Sequence, residues 1–360
     1  MKLIYFTRHE WRGASSRYRS LQYFDHLRSD GFEIEHVPFF SDAYLEKRAQ
    51  SRKPVVEVLQ SYLKRIVATI GKPGSANAIV VEKEMFPFLP ALTDRWVKRR
   101  RVPVIYDYDD AIWHAYERRR LGPFGAVFGK KIARIVAQAD HVVVGNQYLE
   151  DQVRAWGAQR VTQIPTTVLA SRYQGQGLVA DKTVEIVWIG SQSTGQYLLP
   201  YFPVLAQLYA ETGAKLRAIG LSRALINGPV PDWLTLEPWC SQTQIEQIAS
   251  ARIGIMPVPD EPFERGKCGF KLVQYMGAGL PVVASPVGAN STIIRHESTG
   301  FLAKTPQDWH RHLTTLIRDP ELAAAMGNRG RHRYLGRYST EAAAPRWSAL
   351  LRAEIQKSIL

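Results

Sequence analysis

The amino-acid sequence predicts an α/β protein built from two doubly wound domains. Short apolar runs rich in β-branched residues, bounded by Gly, Pro, Asn and Asp, alternate with stretches of helical periodicity. The same alternation occurs in both halves of the 360 residues, a length greater than one hydrophobic core normally serves. Alternating strands and helices form a parallel sheet with helices on both faces. We therefore expect two such sheets, with ligands at the carboxyl ends of their strands.

The first half contains five predicted strands, at Leu3–Phe6, Phe32–Val37, Ala78–Val81, Val102–Tyr106 and His141–Val144. Helical periodicity is found at residues 18–27, 55–70 and 125–138. Residues 166–182 then become polar and glycine-rich, and we place the junction between the domains there.

The second half repeats this order, with strands at Val184–Ile189, Leu216–Ile219, Leu234–Leu236, Ile253–Met256, Pro281–Ala284 and Phe301–Leu302. Helices are expected at Tyr197–Glu211, Gln244–Ser250 and Lys267–Met276, followed by three at residues 306–317, 319–335 and 340–357. The last helix carries an apolar stripe through Trp347, Leu351 and Ile355, so we expect it to cross back onto the first domain. The predicted domains are residues 1–168 with 340–360, and residues 169–339.

An excess of positive charge is the unusual feature of the composition. The formal net charge of +14 favours an anionic partner. Basic residues are not interleaved with aromatic residues on one predicted surface, so we expect no nucleic-acid binding. The excess lies in four clusters, at Arg12 with Arg17 and Arg19, at Lys98–Arg101, at Arg118–Arg120 and at Arg329–Arg337. A solvated surface explains any single cluster; all four, with the amphipathic stretch Val55–Ile70, favour peripheral contact with an anionic membrane.

The rest of the composition is that of an ordinary globular protein, 45% hydrophobic and 22% charged. No apolar run is long enough to span a bilayer. The two cysteines, Cys240 and Cys268, argue against a secreted disulfide framework. We expect a protein of the cytoplasm or of the inner face of the cytoplasmic membrane.

The strongest functional signal is a glycine-flanked turn that precedes a predicted helix. A helix N-terminus presents backbone N–H groups and the positive end of its dipole, which suit a diphosphate. Lys267, Lys271 and Gln274 are spaced so that they would share one face of this helix. The alternative is a surface helix whose lysines are solvated. The candidate ligand-binding residues here are Glu264, Gly266, Lys267, Cys268, Gly269, Phe270, Lys271 and Gln274.

The stretch from Ile253 to Ala303, with its Gly279–Ser285 and Gly300–Leu302 segments, resembles the donor-binding region of family-four retaining glycosyltransferases, the glycosyl transferases group 1 type. The resemblance implies the GT-B fold, in which two Rossmann-like domains face each other across a cleft. It also implies a nucleotide-sugar donor, transfer with retention, and no metal or other cofactor. A closely spaced glutamate pair of that family falls on Gly266 and Gln274 in this sequence. Glu264 or the backbone amides of Lys267–Phe270 would then take over the sugar contact.

Two further turns resemble parts of the same family. Trp188–Ser191, followed by Thr194, is similar to the first strand-to-helix turn of the donor domain, which makes Gly190, Ser191 and Thr194 candidate donor contacts. The family's basic residues are missing after this turn, so Lys267 and Lys271 would supply the positive charge. The segment Arg8–Arg19 resembles the glycine loop beside the acceptor and the donor phosphate, with Gly13 and Arg17 as its candidate residues. An ordinary turn and a capped basic helix are the structural alternatives.

Carboxylates crowd the end of the fourth predicted strand. Asp107, Asp109 and Asp110 follow one another closely there, and buried carboxylates are costly unless they bind something. Asp109 stands where many relatives have a histidine beside the acceptor, and we predict that Asp109, Asp110 or His114 orients the acceptor hydroxyl. Capping of the following turn is the alternative. The Asp-x-Asp pattern is also typical of Mg²⁺ or Mn²⁺ sites, an interpretation that we rank lower. Glu82–Glu84 either lines the cleft or is solvated, and we expect it to be solvated.

The sequence therefore predicts a glycosyltransferase that moves a sugar from a nucleotide-diphosphate sugar to a hydroxyl of a glycan or lipid-linked acceptor. Lys267 would stabilise the departing phosphate. The expected role is bacterial cell-surface glycan or glycoconjugate synthesis. Two alternatives stay open: a catalytically inactive scaffold subunit that binds sugar nucleotides, and a nucleotide-sugar epimerase.

Overall fold

The structure is a computed structural model that describes residues 1–50, 52–71, 75–91, 102–118, 129–174 and 184–359. The predicted basic cluster Lys98–Arg101, Arg119 with Arg120, and residues 125–128 of a predicted helix lie outside the described residues. The chain divides into two compact units, which we call the first and the second unit. The first unit is Met1–Thr167, Gly266–Cys268 and Ala343–Leu360, and the second is Val168–Arg265 and Gly269–Ala342.

A six-stranded parallel sheet forms the centre of the first unit. Its strands are β1 (Lys2–His9), β2 (Glu33–Phe40), β3 (Ala78–Glu82), β4 (Val104–Tyr108), β5 (His141–Val144) and β6 (Val161–Gln163). They lie in the order β2-β1-β3-β4-β5-β6. Strands β3, β4 and β5 are buried along their whole length, which explains their unbroken apolar runs. The sequence did not predict β6, because this edge strand has three half-buried residues and no apolar run.

The second unit contains another six-stranded parallel sheet. Its strands are β7 (Val184–Ile189), β8 (Leu216–Ile219), β9 (Leu234–Glu237), β10 (Ala251–Met256), β11 (Val282–Ala284) and β12 (Gly300–Leu302). Their order is β12-β11-β10-β7-β8-β9, the order of a Rossmann-like sheet. The two sheets confirm the predicted α/β class and its doubly wound architecture.

Helices cover the faces of the sheets. In the described residues they are α1 (Ala14–Arg19), α2 (Phe24–Ser29), α3 (Asp42–Ala49), α4 (Val55–Gly71), α5 (Trp113–Arg118), α6 (Lys131–Val136), α7 (Gln147–Ala155), α8 (Gln192–Gly195), α9 (Phe202–Thr212), α10 (Gln244–Ala249), α11 (Pro262–Arg265), α12 (Phe270–Gly277), α13 (Asn290–Ile293), α14 (Pro306–Arg318), α15 (Pro320–Arg333) and α16 (Thr340–Ile359). Short 3-10 segments lie at Leu21–Tyr23, Ala170–Tyr173, Leu199–Tyr201 and Arg223–Leu225, and a π-helical turn at Tyr334–Tyr338. None of the helices described is both long and apolar enough to cross a membrane.

The end of the chain packs on the first sheet. Trp347, Leu351 and Ile355 of α16 are buried in one hydrophobic cluster with Leu3 and Tyr5 of β1. The apolar stripe of the last helix predicted this packing.

Each sheet has a point where the strand order reverses. In the first sheet it lies between β1 and β3, and in the second between β7 and β10. Loops that leave adjacent strands at such a point run in opposite directions and open a crevice, where α/β proteins bind their ligands. The candidate site residues follow the strands on both sides of these two points.

Candidate functional site

The turn after β7 is shaped by a glycine and a serine–threonine pair. A Cβ on Gly190 would come within 2.2 Å of the Trp188 ring, so only glycine fits there. Ser191 precedes α8, and its backbone N–H donates to Thr194 Oγ1 at 3.0 Å. The structure thus brings the predicted residues Gly190, Ser191 and Thr194 together at the carboxyl end of β7.

The start of α12 corrects one prediction from the sequence. The helix begins at Phe270, after Gly269 in the left-handed conformation (φ 65°), rather than at Lys267. Lys267 therefore does not share a helix face with Lys271 and Gln274. The physical reason is the left-handed residue, which cannot continue a right-handed helix toward its N-terminus. A Cβ on Gly269 would also lie 2.2 Å from Ile293 Cδ1, so both the positive φ and this contact favour glycine.

Lys271 connects α12 to the first strand of the second unit. Its ammonium lies over the Trp188 ring, 4.7 Å from the ring centroid, and Trp188 is fully buried in β7. A cation over an indole face is stabilised by the ring quadrupole. This contact places the Lys271 ammonium against β7, the strand that precedes Gly190 at the reversal point of the second sheet.

An amide pair and an indole form a hydrogen-bonded chain in the second unit. Gln274 is buried, and its Nε2 donates to Gln244 Oε1 at 3.3 Å. The Trp239 Nε1 donates to the same oxygen at 3.3 Å, while the indole of Trp239 is 45% exposed. The sequence analysis identified Gln274 but missed Gln244 and Trp239. Trp239 follows the carboxyl end of β9 by two residues, and this position in the sequence could have identified it as a candidate.

Glu264 on α11 is a buried carboxylate, and in the part of the chain that the structure describes one of its two oxygens is unpaired. Its Oε1 accepts a hydrogen bond from the Tyr197 hydroxyl, and its side chain is 3% exposed. Its Oε2 has no hydrogen-bond partner within the residues that the structure describes. Leaving a buried polar oxygen without a hydrogen bond costs about 1–3 kcal/mol.

The reversal point of the first sheet holds a network of serines and carboxylates. Ser15 Oγ lies 2.9 Å from Glu82 Oε1 and 2.8 Å from Asp109 Oδ2. Glu82 Oε2 accepts from Ser16 Oγ and from the backbone N–H of Arg8, at 2.5 and 2.9 Å. The predicted glycine loop therefore reaches the ends of β3 and β4.

Two residues of that loop have defined places. A Cβ on Gly13 would lie 2.2 Å from the Cβ of His9, so the turn requires glycine. Arg17 is buried in α1, where one guanidinium nitrogen donates to Trp11 O at 3.4 Å. Its guanidinium lies 4.8 Å from the centroid of the Tyr18 ring, and its Nε has no partner among the described residues.

Lys83 forms ion pairs with both of the aspartates that we predicted to act on the acceptor. Its Nζ is 2.9 Å from Asp109 Oδ1 and 2.9 Å from Asp110 Oδ2. Burial opposes the Lys83 cation, but Asp109, Asp110 and Glu82 outweigh burial and raise its pKa. Burial alone would raise the pKa of Asp109, yet Lys83 and Arg19 lower it below the usual value. Asp109 is thus an ionised carboxylate at neutral pH.

The remaining acidic residues of this region are also paired. Arg19 binds Asp107 with two hydrogen bonds, one of 3.0 Å, and both side chains are buried. Glu84 accepts from Lys131 at 2.6 Å and from the Tyr116 hydroxyl at 2.7 Å. The expectation that Glu82–Glu84 is solvated was wrong, because neighbouring cations and hydroxyls compensate for burial.

The Asp-x-Asp pattern already faces cations, Arg19 at Asp107 and Lys83 at Asp109. No group of three or more His, Cys, Asp or Glu placed to hold a metal ion was found in the described part of the chain. His114 has other partners than the two aspartates. Its Nε2 accepts a hydrogen bond from Trp113 Nε1 at 3.1 Å and lies 2.9 Å from the Tyr148 hydroxyl.

The segment Gly266–Cys268 belongs to the first unit. Cys268 Sγ donates to the backbone oxygen of Asp109 at 2.9 Å, and Asn146 Nδ2 donates to that of Lys267 at 3.0 Å. A Cβ on Gly266 would lie 2.5 Å from the Cβ of Ala111. Burial raises the pKa of the Cys268 thiol to about 12, so this thiol stays protonated. The predicted donor residues are thus divided between the two units.

Comparison with known proteins supports a transferase domain in the second unit. Residues 184–319 match the family model described as Glycosyl transferases group 1. The chain is 31% identical over 104 residues to a GDP-Man:Man(3)GlcNAc(2)-PP-Dol alpha-1,2-mannosyltransferase of Dictyostelium discoideum. The aligned residues make up 28% of this chain and 20% of that protein. It is 27% identical over 152 residues to a D-inositol 3-phosphate glycosyltransferase of Segniliparus rotundus, 41% of this chain and 32% of the relative. The matches thus span a fifth to a third of these relatives.

Solved structures resemble the whole chain. Sucrose-phosphate synthase from Thermosynechococcus elongatus has a TM-score of 0.69 at 16% identity, covering 98% of both chains. HepE of Anabaena in complex with UDP-glucose has a TM-score of 0.68 at 15% identity, covering 98% of this chain and all of the other. Identities this low show the fold alone. The GT-B fold is confirmed, and residues 184–319 match the model of the Glycosyl transferases group 1 family. The activity of the chain and the roles of individual site residues stay predictions.

Proposed function

We propose that the protein transfers a sugar from a nucleotide-diphosphate sugar to a hydroxyl of a glycan or lipid-linked acceptor, with retention at the anomeric carbon. The observation that carries the proposal is the group of residues at the reversal point of the second sheet. There the Lys271 cation, the N-terminus of α12 and the unpaired Oε2 of Glu264 lie on elements of one unit. The expected setting is synthesis of bacterial cell-surface glycans or glycoconjugates.

Each part of the donor has a candidate partner in the second unit. The diphosphate fits the positive dipole end of α12 together with Lys271. The exposed indole of Trp239 offers a stacking surface for the nucleobase, next to the amides of Gln244 and Gln274 for the ribose hydroxyls. Glu264 Oε2 would accept a hydrogen bond from a sugar hydroxyl.

In the proposed reaction the bond between the anomeric carbon and the donor phosphate oxygen breaks. The acceptor oxygen forms a new bond to that carbon from the same face, and its proton passes to the departing phosphate oxygen. Lys271 and the N-terminus of α12 stabilise the negative charge that develops on the phosphate. Asp109, ionised beside Lys83, orients the acceptor hydroxyl. We propose that the Lys271 cation and the helix dipole serve in place of a metal or other cofactor.

The first experiment is isothermal titration of UDP-, GDP-, dTDP- and CMP-sugars into wild type and Lys271→Met. The variant removes the charge but keeps an apolar stem over Trp188. We expect one nucleotide class to bind and the variant to weaken it by about tenfold, the loss of one charge-assisted contact.

Lys215→Met is the matched control, because Lys215 is exposed just before β8, at the opposite end of the sheet. This control should bind the donor as wild type does. Absence of binding for every class, or equal loss in both variants, would contradict the donor site. Donor binding without transfer or hydrolysis would favour the scaffold subunit.

A further inference from the structure

Helix α4 exposes a continuous apolar face to solvent. Its outward residues recur at helical spacing, and each exposes more than a third of its side chain. They are Val55 (70%), Val56 (59%), Leu59 (62%), Leu63 (57%), Ile66 (37%), Val67 (70%) and Ile70 (55%). Scattered exposed apolar residues are ordinary, whereas a contiguous stripe marks an interaction site.

The orientation of α4 is fixed by polar residues that face inward. Arg65 is 1% exposed, and its guanidinium donates to the backbone oxygens of Thr7 and Val37 at 2.7 and 3.2 Å. The same guanidinium lies 4.9 Å from the centroid of the Phe6 ring and 5.3 Å from that of Phe39. Rolling the helix to bury its apolar face would remove Arg65 from these contacts. The apolar face is therefore outward in the folded unit.

The surroundings of this face are basic. Arg48, Arg52, Lys53 and Lys64 are exposed on α3, on the segment before α4 and on α4 itself. Glu57 is the acidic residue of α4, and its carboxylate is paired with Lys47. An apolar stripe flanked by exposed cations is complementary to a surface with an anionic outer layer and an apolar interior.

We propose that α4 lies in the interface of an anionic lipid bilayer. The seven apolar side chains enter the boundary between headgroups and acyl chains, and Arg52, Lys53 and Lys64 contact anionic headgroups. A second copy of the chain fits less well, because a twofold interface would bring the same cations of both copies together. With 17 residues, α4 spans about 25 Å, enough to lie along the surface. The inference rests on α4 and on the basic residues beside it, and it adds to the proposed function a route to lipid-linked acceptors.

The test is flotation with vesicles of phosphatidylcholine, with and without about one third phosphatidylglycerol, compared between wild type and the triple variant Leu59→Ser, Leu63→Ser, Val67→Ser. All three positions are exposed, so the fold should persist, which thermal unfolding checks. We expect wild type to float only when the vesicles contain the anionic lipid. The bound fraction of the triple variant should be at least about fivefold lower than that of wild type. Bound wild type should also be released by high salt, which screens the cations.

Gln60→Ser is the control, since Gln60 is exposed on α4 but is not one of its seven exposed apolar residues. It should float as wild type does. The proposal is overturned if wild type does not float, or if the triple variant floats equally well. It is also overturned if the triple variant abolishes a dimer in light scattering while flotation is absent. Donor titration of the same variants separates this outcome from failure of the proposed function, because flotation needs neither donor nor turnover.

Discussion

At the scale of residues, the position of Lys83 determines how the buried carboxylates of the first unit are compensated. Lys83 has a left-handed backbone (φ 64°), which is rare for a lysine, and it places its ammonium between Asp109 and Asp110. Buried charges survive only when they are compensated. Asp109 and Asp110 share the Lys83 cation, and Ser15 also donates to Asp109. The sequence showed a row of acidic residues but not their partners, because Lys83 and Asp109 come from different strands. Sequence reasoning therefore found both strands but placed the end of β4 at Tyr106 instead of Tyr108, and its expectation that Glu82–Glu84 is solvated was wrong.

Two histidines of the first unit make its stability depend on pH. Burial, with Arg8 and Lys83, lowers the pKa of His9 to about 3, and burial with Arg65 lowers that of His36 to about 4. Both stay neutral in the folded protein, while the unfolded chain takes up protons below about pH 6.5. The free energy of unfolding is therefore highest above pH 6.5 and decreases as the pH falls toward the pKa values of the two histidines in the folded protein. At pH 5 each histidine should lower it by about 1 kcal/mol, after allowance for partial exposure.

Urea unfolding of wild type and His36→Gln at pH 7 and pH 5 measures this effect. The glutamine can replace the hydrogen bond of 2.7 Å between His36 Nε2 and Thr7 Oγ1. The loss of stability between the two pH values should be about 1 kcal/mol smaller in the variant. His332→Gln, at an exposed position, should follow wild type. An unchanged loss in His36→Gln would show that His36 does not stay neutral.

At the scale of elements, local periodicity identified α12 and α4 but not how each is used. The helix α12 begins after Gly269, which has a left-handed backbone, and a Cβ at this position would meet Ile293, a residue distant in sequence. Periodicity likewise showed that α4 is amphipathic. It could not show that its apolar face points outward, because that follows from the contacts of Arg65 with β1 and β2. Element type is a local property, whereas the start of a helix and the direction of its faces are tertiary properties.

The turn between β7 and α8 should tolerate no side chain at Gly190. Gly190→Ala would place a Cβ 2.2 Å from the Trp188 ring and 2.7 Å from Thr194 Oγ1. Because Trp188 is fully buried beneath Lys271, the ring cannot move without shifting that cation. We expect a loss of about 1–3 kcal/mol of stability and weaker donor binding. Thermal unfolding and titration measure both.

Gly336→Ala is the control for this variant, because a Cβ there meets nothing within 4 Å. It should leave donor affinity unchanged and stability equal or slightly higher. Equal stability of Gly190→Ala and Gly336→Ala would show that the turn after β7 adapts, and would weaken its assignment to the donor site.

For the whole molecule, the fold was predictable because the alternation of strands and helices is repeated in both halves of the chain. The order of strands within each sheet was not readable, since it depends on pairing between distant segments such as β7 and β10. That order locates the two reversal points, and the candidate residues gather at them in each unit. The first unit gathers carboxylates beside Lys83, and the second gathers a helix N-terminus, Lys271 and an exposed indole. This division predicts separate tasks for the two units.

Asp109→Asn tests that separation, because it removes a charge from the first unit while the donor residues of the second unit remain. The substitution conserves shape, and Asp110 still pairs with Lys83. We expect donor affinity to stay within about twofold and turnover to fall about 100-fold, the typical contribution of a group that positions or deprotonates a reactant. Titration gives the affinity, and product formation with the donor class identified above gives the turnover. Asp25→Asn, whose carboxylate is 96% exposed, should change neither. Unchanged turnover in Asp109→Asn would remove Asp109 from the reaction, and loss of donor affinity would mean that the first unit also binds the donor.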